Sequence, residues 1–346
     1  MSGELPQGSK SYTPPVDVPG MGRLLVLLTT TLFCIAGTGL ASAAVAPIIH
    51  QSSARPATVS PRGSAPSSAA GGPDTGIRPA PATISPSPTD SSLAADTTSA
   101  STVADRATVP VKVKQATQAV LPNAQVGYEV FDRIDTTTLT SEDAGQQFAA
   151  MSVVKLLIAL DLLSRNDWAA PDNGTQQELH QMLANSDDQI ANTLWTAGGG
   201  PAIVTRMTAM LRLDGTRPPE DPGEWGDTLI TPHDMVTVYR YITDQLPRSG
   251  QDLILGALSD APKIAADGFD QYFGIPGGMP NTSWAIKQGW GTSGSHAVMN
   301  STGLVGPDRR YVVVVLASAP GNSYSTLPAV VTAGAGALAG LVRAAP

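Results

Sequence analysis

The residues best suited to chemistry lie in Phe148-Ala-Ala-Met-Ser152-Val-Val-Lys155-Leu-Leu-Ile-Ala-Leu160, where a lysine follows a serine by three positions inside an apolar run. Positions three apart on a helix share a face, so the amine of Lys155 reaches the hydroxyl of Ser152. Burial disfavours the charged amine and makes Lys155 a usable proton acceptor near neutral pH. A serine activated in this way attacks carbonyl carbon. The bland alternative is a lysine that snorkels from a core helix to water. Partners elsewhere in the chain decide between the two.

Several other chemistries are excluded. A chain of net charge −8, with no basic patch interleaved with aromatics, is not a nucleic-acid partner. His50, His180, His233 and His296 lie far apart, and neither H-E-x-x-H nor C-x-x-C occurs, so no metal site is expected. No glycine-rich nucleotide loop follows a strand; Gly198-Gly-Gly-Pro201 follows a helix and reads as its stop signal. No cofactor is expected.

The elements that must position Ser152 come after a long preface. Residues 1–23 read as a cytoplasmic tail and 24–46 as a transmembrane signal-anchor, because no charged side chain occurs from Leu24 to Ile49 and the apolar part is long enough to cross a bilayer. A signal peptide cut near Ala41-Ser42-Ala43 is the alternative, and would release the protein. Cys34, the single cysteine, follows Thr31-Leu-Phe33 rather than a small residue, so lipidation is not expected and the outer part has no disulfide. Residues 47–110 are dominated by Pro, Ser, Thr, Ala and Gly and read as a disordered linker, a spacer that could cross part of a cell wall. These features place the chain in the cell membrane, single-pass, with its carboxyl-terminal domain outside the cytoplasm.

Residues 111–346 form that domain. Gln125-Val-Gly-Tyr-Glu-Val-Phe131 alternates as a strand and precedes the Ser152 helix; helical periodicity recurs at 175–183, 187–197, 203–211, 232–245 and 252–258. The stretches 283–290, 296–305 and 311–316 then form an antiparallel meander, followed by a terminal helix over 327–342. Strands at both ends with helices between predict an α+β fold, an α/β sandwich. Its one antiparallel sheet is built from both ends of the domain and flanked by helices, with a helical lobe inserted.

This order resembles the penicillin-recognising serine hydrolases, and within them a divergent member of the class A β-lactamase branch. Four stretches carry the resemblance, in order. Ser152-Val-Val-Lys155 resembles the S-x-x-K element, and Ser186-Asp-Asp188 the S-D-N element with Asp188 in place of asparagine. Pro222-Gly-Glu-Trp-Gly-Asp227-Thr-Leu-Ile-Thr231-Pro232 is similar to the end of the Ω-loop and the helix after it. Lys287-Gln288-Gly289 resembles K-T-G with Gln288 in place of the hydroxyl residue. Alone, Ser186-Asp-Asp-Gln189 reads as a capping box, Lys287 as a solvated lysine, Asp227 as a loop closure, and Thr231-Pro232 as a helix start.

The resemblance implies acyl transfer on a β-lactam, peptide or ester carbonyl. Ser152 would be the nucleophile, Lys155 the base, Ser186 the proton relay to the leaving group and Lys287 the positive charge holding Ser186 and drawing in a substrate carboxylate. By the same analogy the backbone N–H groups of Ser152 and Trp290 would hold the oxyanion, and Asp188, Gln288 and Gly289 would line the substrate. The departures imply slow deacylation. The Ω-loop is a few residues short, and Glu220 and Glu224 are the nearby candidates for the hydrolytic base, each equally a surface-loop glutamate. Gln288 removes a carboxylate-binding hydroxyl, and Asp188 repels anions. Only 34 residues separate Ser152 from Ser186, so the lobe is reduced. Two further readings share the scaffold: a silent cleft that binds cell-wall peptidoglycan or a protein partner, and a D-Ala-D-Ala peptidase or esterase.

Overall fold

The structure, a computed structural model, describes residues 92–343. The tail, the charge-free run, Cys34 and most of the expected linker lie outside the described residues. The described chain opens with helix α1 (Ser92–Val120), strands β1 (Gln125–Asp132) and β2 (Thr137–Glu142), and a two-residue β3 (Phe148–Ala149). A 3-10 turn at Met151–Val154 runs into α2 (Lys155–Arg165), followed by α3 (Asn173–Ala184), α4 (Asp188–Ala197) and α5 (Ala202–Leu211). A loop with a second 3-10 turn at Trp225–Asp227 leads to β4 (Leu229–Ile230), α6 (Pro232–Asp244), α7 (Arg248–Ser259) and the single turn α8 (Ile275–Gly278). Strands β5 (Trp284–Ser293), β6 (His296–Val305) and β7 (Tyr311–Pro320), then helix α9 (Leu327–Arg343), complete the order.

The five long strands form one antiparallel sheet in the order β2-β1-β7-β6-β5, so both ends of the domain meet in it as the sequence predicts. Its centre is β7, where Tyr311-Val-Val-Val-Val-Leu-Ala317 is buried throughout. Such a run is apolar without alternation because both faces are covered. Val312, Val314 and Leu316 pack toward the helical lobe, while Tyr311, Val313, Val315 and Ala317 pack toward α1 and α9. Two cores therefore lie on opposite faces of one sheet.

Helix α1 corrects the predicted boundary at residue 111. It begins at Ser92, within the stretch expected to be disordered linker, and Val109 and Val113 are both buried in the core shared with α9. The compositional signal was diluted there: Pro110 and the Ala, Ser and Thr around it masked two valines one turn apart.

Local signals set the lobe. Asp172 caps α3 through Gly174 N and Thr175 N, and Thr231 caps α6 through Asp234 N, with Pro232 in the first turn. Buried Asp161 on α2 accepts from Arg165 Nε at 2.8 Å and from Arg206 Nε on α5 at 2.7 Å. The Arg206 bond ties α5 to α2, and the Arg165 bond, within α2, holds the carboxylate in place.

Candidate active site

Ser152 sits in the 3-10 turn just before α2, between β3 and the long apolar helix. Asn300 on β6 anchors this turn, its side-chain N–H donating to Ala149 O at 2.9 Å and Ala150 O at 3.1 Å. Met151, immediately before the serine, has φ 48, a left-handed conformation that costs a side-chain-bearing residue about 1–3 kcal/mol and persists only where its surroundings enforce it. The sheet edge β5 closes against the turn at Gly289. A Cβ there would lie 2.6 Å from Ala150 O, so glycine is the residue that permits this approach.

Four side chains converge. Lys155 Nζ, fully buried, lies 2.7 Å from Ser152 Oγ. Lys287 Nζ on β5, also buried, donates to Ser186 Oγ at 2.7 Å. Ser186 joins the two lysines, because its carbonyl oxygen accepts from Lys155 Nζ at 2.9 Å while its hydroxyl serves Lys287. Its φ of 58 lets both polar atoms turn inward. The predicted capping role falls instead to Asp187, whose carboxylate accepts from Gln189 N and Ile190 N at the start of α4. Ser186 is thereby free of the helix it precedes.

Burial controls both amines. Desolvation pulls Lys155 below the ordinary lysine value, opposed by the nearby Asp188 carboxylate. Lys287 is held well below that value, chiefly by desolvation and then by repulsion from Lys155.

One expected substrate contact is corrected. Gln288 is fully buried and its amide N–H donates to Gln271 O at 3.1 Å and Phe273 O at 2.7 Å, so it holds the loop before α8 rather than facing the cleft. Asp188 does line the cleft, but its Oδ1 is engaged by Lys155 Nζ at 2.5 Å. The glutamates divide: Glu220 is exposed and is not among the residues lining the cleft, whereas Glu224 lines it. Neither has a hydrogen bond to Ser152 or Lys155 among the described contacts.

Trp225 occupies the flank of Lys155. Its ring lies 4.7 Å from Nζ, and its Nε1 donates to Asn192 Oδ1 at 2.7 Å. Neither residue is assigned a role from sequence. A signal was available, since Asn192 follows Asp188 by one helical turn and so shares its face.

The cleft over Ser152 has a volume of about 560 Å³. Asp188, Glu224, Asp227 and Asp267 supply its acidic lining, and Trp225, Trp290 and Tyr324 its aromatic surface. No basic side chain lines it among the described residues; the two lysines lie beneath its floor. Trp290 is stacked on Phe269 with ring centres 4.9 Å apart and donates Nε1–H to Asp267 at 2.9 Å, which holds the cleft's β5 wall.

Comparison with known proteins bears on the family and the fold. The Beta-lactamase enzyme family model matches residues 175–339. A relative named "Putative lipoprotein LppW" in Mycobacterium tuberculosis, also found in Mycobacterium bovis, is 35% identical over 226 residues, covering 62% of this chain and 70% of that protein. Solved β-lactamases share the fold. That from Chitinophaga pinensis superposes with a TM-score of 0.55 at 14% identity, covering 67% of this chain and 98% of its own. That from Desulfarculus baarsii gives 0.53 at 20% identity, covering 69% and 99%. The chain belongs to the β-lactamase enzyme family, as a divergent member.

Proposed function

We propose that this protein is a membrane-tethered serine hydrolase working outside the cytoplasm, which transfers acyl groups from ester, peptide or β-lactam carbonyls to Ser152. The observation that carries this reading is the convergence of Ser152, Lys155, Ser186 and Lys287 beneath one cleft. Ser152 Oγ attacks the carbonyl carbon as its proton passes to Lys155, and the N–H groups of Ser152 and Trp290 receive the oxyanion. Ser186 Oγ then gives its hydrogen to the leaving nitrogen or oxygen, drawing a replacement from Lys287.

Hydrolysis of the resulting ester is slow. The indole of Trp225 flanks Lys155, and the cleft glutamate, Glu224, is solvent-exposed. The acidic lining also acts on substrate choice. A penicillin carries a carboxylate that four lining acids repel, so neutral or cationic acyl donors are favoured. The experiment is intact-mass analysis of the full-length protein in detergent with a penicillin and with a neutral p-nitrophenyl ester. A stable adduct from the ester, lost in Ser152→Ala, is expected. No adduct from either donor would assign the cleft to non-covalent recognition of wall peptides or a protein partner.

The relatives' name supports a lipid-type tether, for which Cys34 is the sole acceptor in this chain; the apolar run at 24–46 supports a protein anchor. Intact mass of the membrane-extracted protein separates them: a lipidated chain beginning at Cys34 identifies a lipid, and an unmodified chain retaining residues 24–46 identifies the span.

A further inference from the structure

The amine of Lys155 has three polar partners, and two of them only accept. Nζ lies 2.7 Å from Ser152 Oγ, 2.9 Å from Ser186 O and 2.5 Å from Asp188 Oδ1. A neutral amine offers two hydrogens and one lone pair. The Ser186 carbonyl and the Asp188 carboxylate take the hydrogens, so the lone pair faces the one partner with a hydrogen to give, the Ser152 hydroxyl.

From this geometry we infer that Asp188 is the third member of a Ser152–Lys155–Asp188 relay: a positioning residue that aims the Lys155 lone pair at the nucleophile and stabilises the ammonium formed on attack. The inference rests on the acyl-transfer reading above and assigns Asp188 a role toward the base rather than toward substrate. In the step concerned, the Ser152 Oγ–C bond forms, the carbonyl π pair moves to oxygen, and the hydroxyl proton moves to Nζ. The new ammonium stands against the carboxylate, which offsets the burial that otherwise weakens this base. The logic is that of the aspartate in a Ser-His-Asp triad, transferred to an amine.

Other charges around Lys155 do not share this position. Asp187 caps α4, Asp267 accepts from the Trp290 indole, and Lys287 on β5 repels; all three act on Lys155 or its partner lysine through space. Asp161, on α2 itself, is occupied by Arg165 and Arg206. Trp225 presents only its ring. Asp188 is the carboxylate in contact.

The test is the rate of Ser152 acylation by p-nitrophenyl acetate, read by intact mass on the full-length protein in detergent from about pH 5 to pH 10. In Asp188→Asn the rising limb moves to lower pH by about one unit or more, because Lys155 loses the charge that keeps it basic. Its high-pH plateau falls about tenfold, because the ammonium forms unsupported. The two profiles therefore cross, which a merely structural role would not produce. Asp188→Glu, which keeps the carboxylate, returns the limb toward the wild-type position. A limb in Asp188→Asn that coincides with wild type or moves upward overturns the inference while leaving acyl transfer intact. No wild-type adduct at any pH overturns both. Asp187 provides the α4 cap, and the Asp188 side chain is 57% exposed, so the substitution leaves the fold in place.

Discussion

Replacing Lys287 with methionine should make the protein more stable and less active, and the gain should depend on pH in a defined direction. The Lys287 side chain is 1% exposed, and the acceptors of its amine, Ser186 Oγ at 2.7 Å and its neighbour's Gln288 O at 3.0 Å, are both uncharged. Among the described residues no carboxylate is within hydrogen-bond reach of it; Lys155 repels it, and Asp188 and Asp267 offset part of that through space. Exchanging a buried charge for an apolar group of similar volume stabilises by about 1–4 kcal/mol. Its two hydrogen bonds, from a charged donor to neutral acceptors, are each worth about 1.5–3 kcal/mol and offset most of that. The net is a gain of at most about 1 kcal/mol at neutral pH, or roughly 2–4 °C in Tm for a domain of this size. The folded-state pKa of Lys287 lies below its ordinary value of 10.5, so between the two the unfolded chain binds the extra proton and wild-type stability rises with pH. The penalty from Lys287 is therefore complete below the folded value and disappears near 10.5. Thermal melts of wild type and Lys287→Met across that range should converge as pH rises, while Ser152 acylation falls about a hundredfold throughout. A methionine variant less stable at neutral pH, or an advantage that stays flat with pH, would refute the account of Lys287 as a poorly compensated buried cation.

Three further outcomes follow from packing. Gly289→Ala places a methyl against Ala150 O and should cost about 1–3 kcal/mol while displacing the Ser152 turn, seen as a lowered melting temperature with slower acylation. Asp161→Ala leaves Arg165 and Arg206, both partly solvated, without their shared partner and should destabilise by about 1–2 kcal/mol, measured by urea unfolding; a loss below about 0.5 kcal/mol would mean the bond to α5 contributes nothing. A fragment starting at Ser92 should melt well above one starting at Val111, because the shorter piece cuts α1 and removes Val109 from the core.

Much of this arrangement was readable in the chain. The β7 run, the Thr231-Pro232 helix start and the lysine three residues after Ser152 each carry their signal within a few neighbouring residues. Other features depend on where distant segments meet. Gln288 aligned with a substrate-facing hydroxyl, yet the loop at 271–273 offers two backbone carbonyls that its amide satisfies, and a buried amide goes where its partners are. Asp188 aligned with a substrate-lining asparagine, and nothing local tells that Lys155, 33 positions earlier, extends to meet it. Ser186 and Asp187 both fit a helix cap, and the choice between them was made by Lys287, 101 positions away.

Strand β1 pairs along its length with β7, from Gln125 against Ser318 to Asp132 against Tyr311. The middle of the sheet is thus assembled from residues separated by most of the domain. Loop closure on that scale is slow, and until β7 arrives, β1 exposes an unpaired edge and the lobe lacks the valines it packs on. A nascent chain cannot bring Lys287 to Ser186, because that lysine lies on a strand held in register through β6 and β7. The reactivity proposed for Ser152 is therefore postponed until β5, β6 and β7 have been made, and a product terminated before them would carry the serine without the means to use it.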